Sequence, residues 1–341
     1  MSGFKALRTI GASLATALAL LGLACLLPDD PYQRWQLTDG TIFDQLRWAY
    51  ERIHYDDRPV DVAIVGPSKT LLGLSAERIA ERLAERGEAA NVANFSVVAT
   101  GRNVQWAVLD ELFKTKSPKV VVVGVDDAPF PYGHPAFKYV APAEAIAFPP
   151  APLLHNFFSD LWYLPYRQTK SFAAKFFPGF FGLRREFDST IYAATKSEFT
   201  SGVLHLDNRT FDMDREVSEP TLRAQIQPPP ASTTADSLLR GCCNDGDDPT
   251  YIRAIGELAK AHGARLIFAF FPMFGGPPTI ADREFLARYG VVVDNGDLSL
   301  KSALYENWTH LNHAGAMVAS DRVASAIADM RTSSLLPPRV Q

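Results

Sequence analysis

The chain has 341 residues, enough for one large domain or two small ones with appendages. Its hydrophobic fraction of 47% and charged fraction of 21% are those of an ordinary globular protein. A net charge of −4 and a pI near 6.0 lack the basic surplus that a nucleic-acid partner needs, so DNA- and RNA-binding functions are set aside.

In chain order, Lys5 and Arg8 precede an uncharged apolar stretch over residues 9–27 that closes on Pro28-Asp29-Asp30. As a helix this stretch reaches roughly 28 Å at ~1.5 Å per residue, close to the hydrocarbon thickness of a bilayer. Residues 1–28 therefore read as a signal-anchor transmembrane segment, with a cleaved signal peptide as the near rival. Cations on the N-terminal flank and acids beyond it put the N-terminus in the cytoplasm. The expected product is a single-pass protein of the inner (cytoplasmic) membrane with its domain on the periplasmic side. Cys25, just after Leu23-Ala24, raises a lipidated-cysteine reading that Gly22 and the continuing Leu26-Leu27 disfavour. Cys242 and Cys243 are adjacent, and a disulfide between neighbours is strained, so they read as two small loop residues.

Residues 29–58 carry Phe43, Leu46, Tyr50 and Ile53 at helical spacing and read as a membrane-proximal helix and linker. A β-branched run over 60–65 ending at Gly66 predicts a buried strand, and Ser75 caps an amphipathic helix to about residue 86. A second strand follows over 92–97, a helix over 103–114, and the strongest strand over 119–125. Strand, helix, strand, helix, strand is the alternation of a parallel sheet covered on both faces.

Alternation then stops. Residues 129–248 are rich in aromatics and punctuated by Pro and Gly, which predicts an insertion of short helices and irregular loops. It resumes with a helix over 250–262, a strand over 265–271, a helix over 281–289, a short strand over 291–294 and a last helix over 314–330. The fold class expected is α/β, a doubly wound, mostly parallel sheet split by the insertion into 59–128 and 249–331, with a tail over 332–341.

Two segments carry chemistry. Ser68, in Val65-Gly66-Pro67-Ser68-Lys69-Thr70, lies just past the first core strand, where parallel-sheet enzymes place functional groups. His310, in Asn307-Trp308-Thr309-His310-Leu311-Asn312, sits in a loop before the last helix, and a partner three residues earlier can hold its second ring nitrogen. The bland alternatives are a turn serine and a capping histidine. The Gly-Pro-Ser-Lys-Thr string is similar to part of a phosphate loop but lacks its first glycine and spacing, so nucleotide binding is set aside. Asp126-Asp127 and Asp29-Asp30 diverge in extended chain and make poor shared-proton dyads. His134, His155 and His205 show no recurring ligand spacing and read as structural or surface residues, so neither a metal nor another cofactor is called for.

In these blocks the chain resembles the SGNH (GDSL-like) hydrolase superfamily, and within it the membrane-tethered envelope branch of polysaccharide and teichoic-acid acyl-transfer proteins. Gly66-Pro67-Ser68 stands at the Gly-Asp-Ser block, which implies Ser68 as nucleophile, and Gly101 at the glycine block that supplies an oxyanion-hole amide. Gly124-Val125-Asp126-Asp127 stands at the Gly-x-Asn-Asp block, with Asp126 where the family has its oxyanion asparagine. Asn307 to Asn312 stands at Asp-x-x-His-Leu-Asn, which implies His310 as base. The resemblance covers about 60–128 and 250–330 and implies a flavodoxin-like sheet.

Two departures have consequences. An ionised Asp126 repels an oxyanion, which leaves the Ser68 and Gly101 amides, with Asn103 as a substitute donor and Asp126 and Asp127 as site lining. Asn307 orients His310 but supplies no charge; in serine proteases the corresponding Asp-to-Asn change costs about 10⁴ in rate, and Glu306 or Asp294 are the carboxylates that stay open as replacements. The function expected is an extracytoplasmic ester hydrolase or O-acyl (acetyl) transferase acting on cell-surface or exported polysaccharide, in the setting of an envelope biosynthesis complex. The alternative is a catalytically degenerate glycan-binding or scaffold protein. In the insertion, Trp162, Tyr166 and Arg167 form the most suggestive glycan-contact patch; core packing or shallow contact with the bilayer is the bland reading of these aromatics.

Overall fold

The computed structural model describes residues 2–126, 132–150, 156–193, 198–206, 209–226 and 247–332. Asp127, His155 and the Cys242-Cys243 pair lie outside them. Strands are β1 (Val62–Val65), β2 (Val92–Asn94), β3 (Val120–Val125), β4 (Val203–Leu206), β5 (Arg209–Asp212), β6 (Arg265–Phe270) and β7 (Gly290–Asp294). Helices are α1 (Ser2–Cys25), α2 (Pro31–Trp35), α3 (Gln45–His54), α4 (Ser68–Gly73), α5 (Ala76–Glu85), α6 (Arg102–Phe113), α7 (Phe137–Val140), α8 (Ala143–Ala147), α9 (Phe157–Phe176), α10 (Glu219–Gln225), α11 (Asp247–Ala261), α12 (Arg283–Ala287) and α13 (His313–Thr332).

Five strands form one parallel sheet in the order β2-β1-β3-β6-β7. Its valine and isoleucine runs are apolar on both sides because both sides are covered. Ala63, Val65, Val121, Val123, Phe268 and Phe270 face one core, closed by α3, α6 and α11 through Trp48, Val108 and Ile255. Their neighbours Val62, Ile64, Val120, Val122, Ile267 and Ala269 face the other, closed by α5 and α13 through Ile79, Leu83, Val323 and Ile327. The chain leaves β1 toward β2 and returns to β3 on the opposite side, so the sheet's direction of winding reverses between β1 and β3, where ligands of such sheets bind.

Ser75 caps α5, its hydroxyl accepting from the Arg78 N–H at 2.9 Å. Three other expectations are corrected. Residues 29–58 are core rather than linker: they fold as α2, a short 3-10 turn and α3, with Trp35, Leu46, Trp48 and Ile53 buried. Their apolar stripe has the sheet, not the membrane, as its partner. The described residues of the insertion also hold more regular structure than its Pro and Gly content suggests. It contains the 20-residue helix α9, which runs through Pro165, and the antiparallel hairpin β4–β5. One side of α9, Leu164, Arg167, Gln168, Ser171 and Ala174, is buried, and that packing outweighs the proline. The strand at 92–97 is shorter than expected, ending at Asn94, whose side chain turns to accept the Ser96 N–H at 3.0 Å.

Apart from this body, α1 exposes its apolar side chains, and Ala6–Cys25 is long and apolar enough to cross a membrane.

Candidate active site

The candidate nucleophile, Ser68, is positioned by β1 and its exit. Gly66 ends the buried run, Pro67 is extended with ψ −172°, and Ser68 becomes the first residue of α4. The Thr70 side chain packs onto Gly66 and, from the neighbouring strand, onto Gly124, so a Cβ at either glycine would collide with it. That close approach explains both glycines and presses the start of α4 against the winding-reversal point.

His310 comes from a tight loop between the isolated Tyr305–Leu311 bridge. The loop closes on itself: Glu306 N–H donates to the His310 carbonyl at 3.1 Å, and the Asn307 side-chain oxygen accepts from the Thr309 and His310 N–H groups at 2.9 and 3.0 Å. It is anchored on the end of β6, where Phe274 N–H donates to the Trp308 carbonyl at 2.8 Å and the Tyr305 hydroxyl to the Pro272 carbonyl at 3.0 Å.

These two pieces meet. The Ser68 Oγ lies 3.0 Å from His310 Nε2, and His310 Nδ1 lies 3.1 Å from Asn307 Oδ1. The Asn307 amide nitrogen donates to the Glu306 carboxylate, which accepts only, so the amide oxygen must face the ring. An acceptor at Nδ1 puts the ring proton there and leaves Nε2 to accept from the Ser68 hydroxyl. Of the two open carboxylates, Glu306 reaches His310 through Asn307, while Asp294 is engaged elsewhere, accepting from Gly296 N–H at 2.9 Å and pairing with Arg283 at 3.3 Å.

Burial, with the Lys69 and Arg209 cations added to it, pushes the His310 imidazole down to about 3, so it is neutral at ordinary pH. Phe211 of β5 packs edge-on against the ring, centroids 5.4 Å apart. Burial pushes the Glu306 carboxyl up, opposed by its hydrogen bond to Asn307 and by Arg215.

Gly101 precedes α6 at φ 132°, and a Cβ there would run into the backbone of His134. Asn103 binds that same segment, its Oδ1 accepting from His134 N–H at 2.7 Å and Val104 N–H at 2.9 Å, while its Nδ2 is buried with no hydrogen-bond partner among the described residues. His134 is a structural histidine: its Nε2 bonds the Val98 carbonyl at 2.7 Å, its Nδ1 accepts from Ala136 N–H at 3.0 Å, and burial pushes it down to about 4. Asp126 pairs with Lys69 at 3.3 Å across the β1/β3 gap, so its charge is neutralised by the residue next to Ser68. Exposed His205 contacts Thr210 at 3.2 Å, and among the described residues no group of three or more His, Cys, Asp or Glu could hold a metal ion.

The proposed glycan patch is corrected. Trp162 and Tyr166 are exposed on one side of α9, but Arg167 turns to the other and is buried, its guanidinium donating to the Lys138 and Ala141 carbonyls at 3.0 and 2.6 Å. One residue along a helix is about 100° around it, so neighbours in sequence do not share a face. None of the three lines the open cleft beside His310. That cleft, of about 610 Å³, is walled by Arg209, Phe211, Gln225 and Trp308. Sequence reading missed Arg209 and Phe211 because the hairpin went unrecognised; alternating residues on either side of Asp207-Asn208 were the signal.

No protein-family model matches this chain, and a comparison with curated proteins finds no match.

Proposed function

We propose that the chain is a membrane-anchored, extracytoplasmic serine hydrolase or O-acyl transferase of SGNH type acting on acyl esters of envelope polysaccharide. The observation that carries this reading is the continuous chain of hydrogen bonds Ser68–His310–Asn307 at 3.0 and 3.1 Å, with His310 and Asn307 on the wall of an open cleft and Ser68 just past the end of β1. Ser68 Oγ attacks the acyl carbonyl and its proton passes to His310 Nε2. The proton then goes to the leaving sugar oxygen as the carbonyl–oxygen bond breaks, leaving an acyl-Ser68 ester. Water or a second sugar hydroxyl, deprotonated by His310, attacks that ester; the acyl–Oγ bond breaks and His310 returns the proton to Ser68 Oγ. The oxyanion is assigned to the Ser68 amide, at the first helical position ahead of the ladder of α4, and to the Gly101 amide, with Asn103 Nδ2 as the spare donor. The anchor rests on α1, with the N-terminus inside and the domain outside the cytoplasmic membrane.

The test is turnover of an aryl acetate together with labelling by a serine-directed phosphonate. The full chain is expected to hydrolyse the ester and carry the label on Ser68, and Ser68→Ala to lose both. A folded wild-type chain that does neither points to the second reading, a non-catalytic glycan-binding scaffold, which the uncharged Asn307 beside His310 favours.

A further inference from the structure

Among the described residues, helix α9 has a second face with nothing against it. Phe158, Trp162 and Tyr166 follow at spacings of four on the side opposite the buried Leu164, Arg167 and Ser171, and Trp162 is 80% exposed. The face continues past the helix end through Phe177 to Phe180, which is 86% exposed. Aromatic surface of this extent on one side of a soluble body marks an interaction site. Phenylalanine mixed with Trp and Tyr is the composition of side chains that settle at the boundary between lipid headgroups and acyl chains.

Its position names the occupant. α9 meets the C-terminal end of α1, the helix able to span a bilayer, and leaves the apolar stretch before it uncovered. There Gln168 Nε2 donates to the Leu27 carbonyl at 2.7 Å, and Cys25 packs in the same cluster as Leu164 and Phe137. Just beyond, Arg34 bonds the Val140 carbonyl at 2.9 Å and pairs with Asp29 at 2.9 Å. The joint between span and domain is therefore packed and hydrogen-bonded rather than a loose tether, and it holds α9 at the level where α1 leaves the membrane. Lys170, the next residue at the same spacing of four, adds a cation suited to anionic headgroups.

We propose that the aromatic face of α9 and the turn after it seats in the interfacial layer of the bilayer that α1 crosses, so that the domain lies against the membrane in one fixed orientation. The proposal rests on the reading of α1 as a span, and it is independent of the chemistry at Ser68. The cleft wall is built from β5, α10 and the His310 loop and includes no residue of α1 or α9.

The full chain reconstituted in vesicles of phosphatidylcholine and phosphatidylglycerol, with and without lipids nitroxide-labelled near the headgroup, tests this through tryptophan emission. The wild type is expected to lose an emission component to the shallow nitroxide, that component to resist aqueous iodide, and Trp162→Phe to remove it with the remaining emission unchanged. Equal nitroxide quenching in wild type and Trp162→Phe, or a Trp162 component open to iodide in vesicles, overturns the proposal. So does shielding of Trp162 by soluble polysaccharide in place of lipid, which would make the face a glycan platform. Alkaline carbonate extraction separates the two levels: release from the vesicles removes the spanning helix and the proposal with it, whereas retention with Trp162 open to iodide removes the proposal alone.

Discussion

His310, the proposed base, sits in surroundings that penalise its own cation. Burial, Lys69 and Arg209 disfavour the imidazolium, and Asn307 offers a dipole where a carboxylate would offer a charge. With the folded imidazole pushed down to about 3, the base is unprotonated throughout the mildly acidic range, so the rate of ester hydrolysis is expected to stay level from pH 8 to about pH 5, where an ordinary histidine already loses activity. Asn307→Asp restores the anion, raises the imidazole toward its usual range, and is expected to bring an acid limb into the pH–rate profile between about pH 5 and 6. Asn307→Leu removes the acceptor of three hydrogen bonds, and a fall in turnover of ~10³-fold or more is expected as the ring loses its tautomer. In the proposed chemistry Glu306 stands one step back as a positioning residue. Glu306→Gln keeps the shape but presents either an acceptor or a donor to Asn307, so the amide is free to flip. Turnover is expected to fall about tenfold, with urea unfolding little changed.

Two elements place these residues, and neither is helpful alone. The β1–α4 turn delivers Ser68, and the hairpin β4–β5 delivers Phe211 and Arg209 from within the insertion. The insertion is thus one wall of the cleft rather than an appendage. A third element, the turn into α6, depends on Gly101: its φ of 132° is left-handed territory, and the space where a Cβ would go is filled by the His134 backbone. Gly101→Ala is expected to cost ~1–3 kcal/mol from the backbone alone, plus the displacement of 134, and a denaturant midpoint lowered together with lost turnover checks it. If Gly101 served only as packing, restoring stability elsewhere would restore the rate; as an oxyanion donor it would not.

For the whole molecule, the buried histidines couple the site to acid stability. His310 and His134 fold as neutral rings, held near 3 and 4, whereas the unfolded chain protonates both near 6.5. Their contribution is fully present above about pH 6.5 and is lost as pH falls, with a slope approaching ~2.7 kcal/mol per pH unit once both unfolded rings are charged. Urea midpoints measured from pH 7 to 4.5 are expected to fall accordingly, and His310→Gln to flatten part of the slope. Acids held low by cations, such as Asp321 at about 2 between Arg78 and Arg82, act in a lower window, below about pH 4. The sequence by itself determined the parallel sheet, the apolar N-terminal helix and the positions of Ser68 and His310, because each is written locally: in β-branched runs, in an uncharged stretch, and in a polar residue at a strand end or before a helix. Only the tertiary structure decided that Ser68 and His310 touch across 242 positions, that Asp126 is neutralised by Lys69, that Glu306 stands behind Asn307, and that Arg167 is buried beneath an aromatic face. Those facts depend on which surfaces meet when distant segments pack, and no periodicity along the chain encodes the distance between two side chains brought together by different elements.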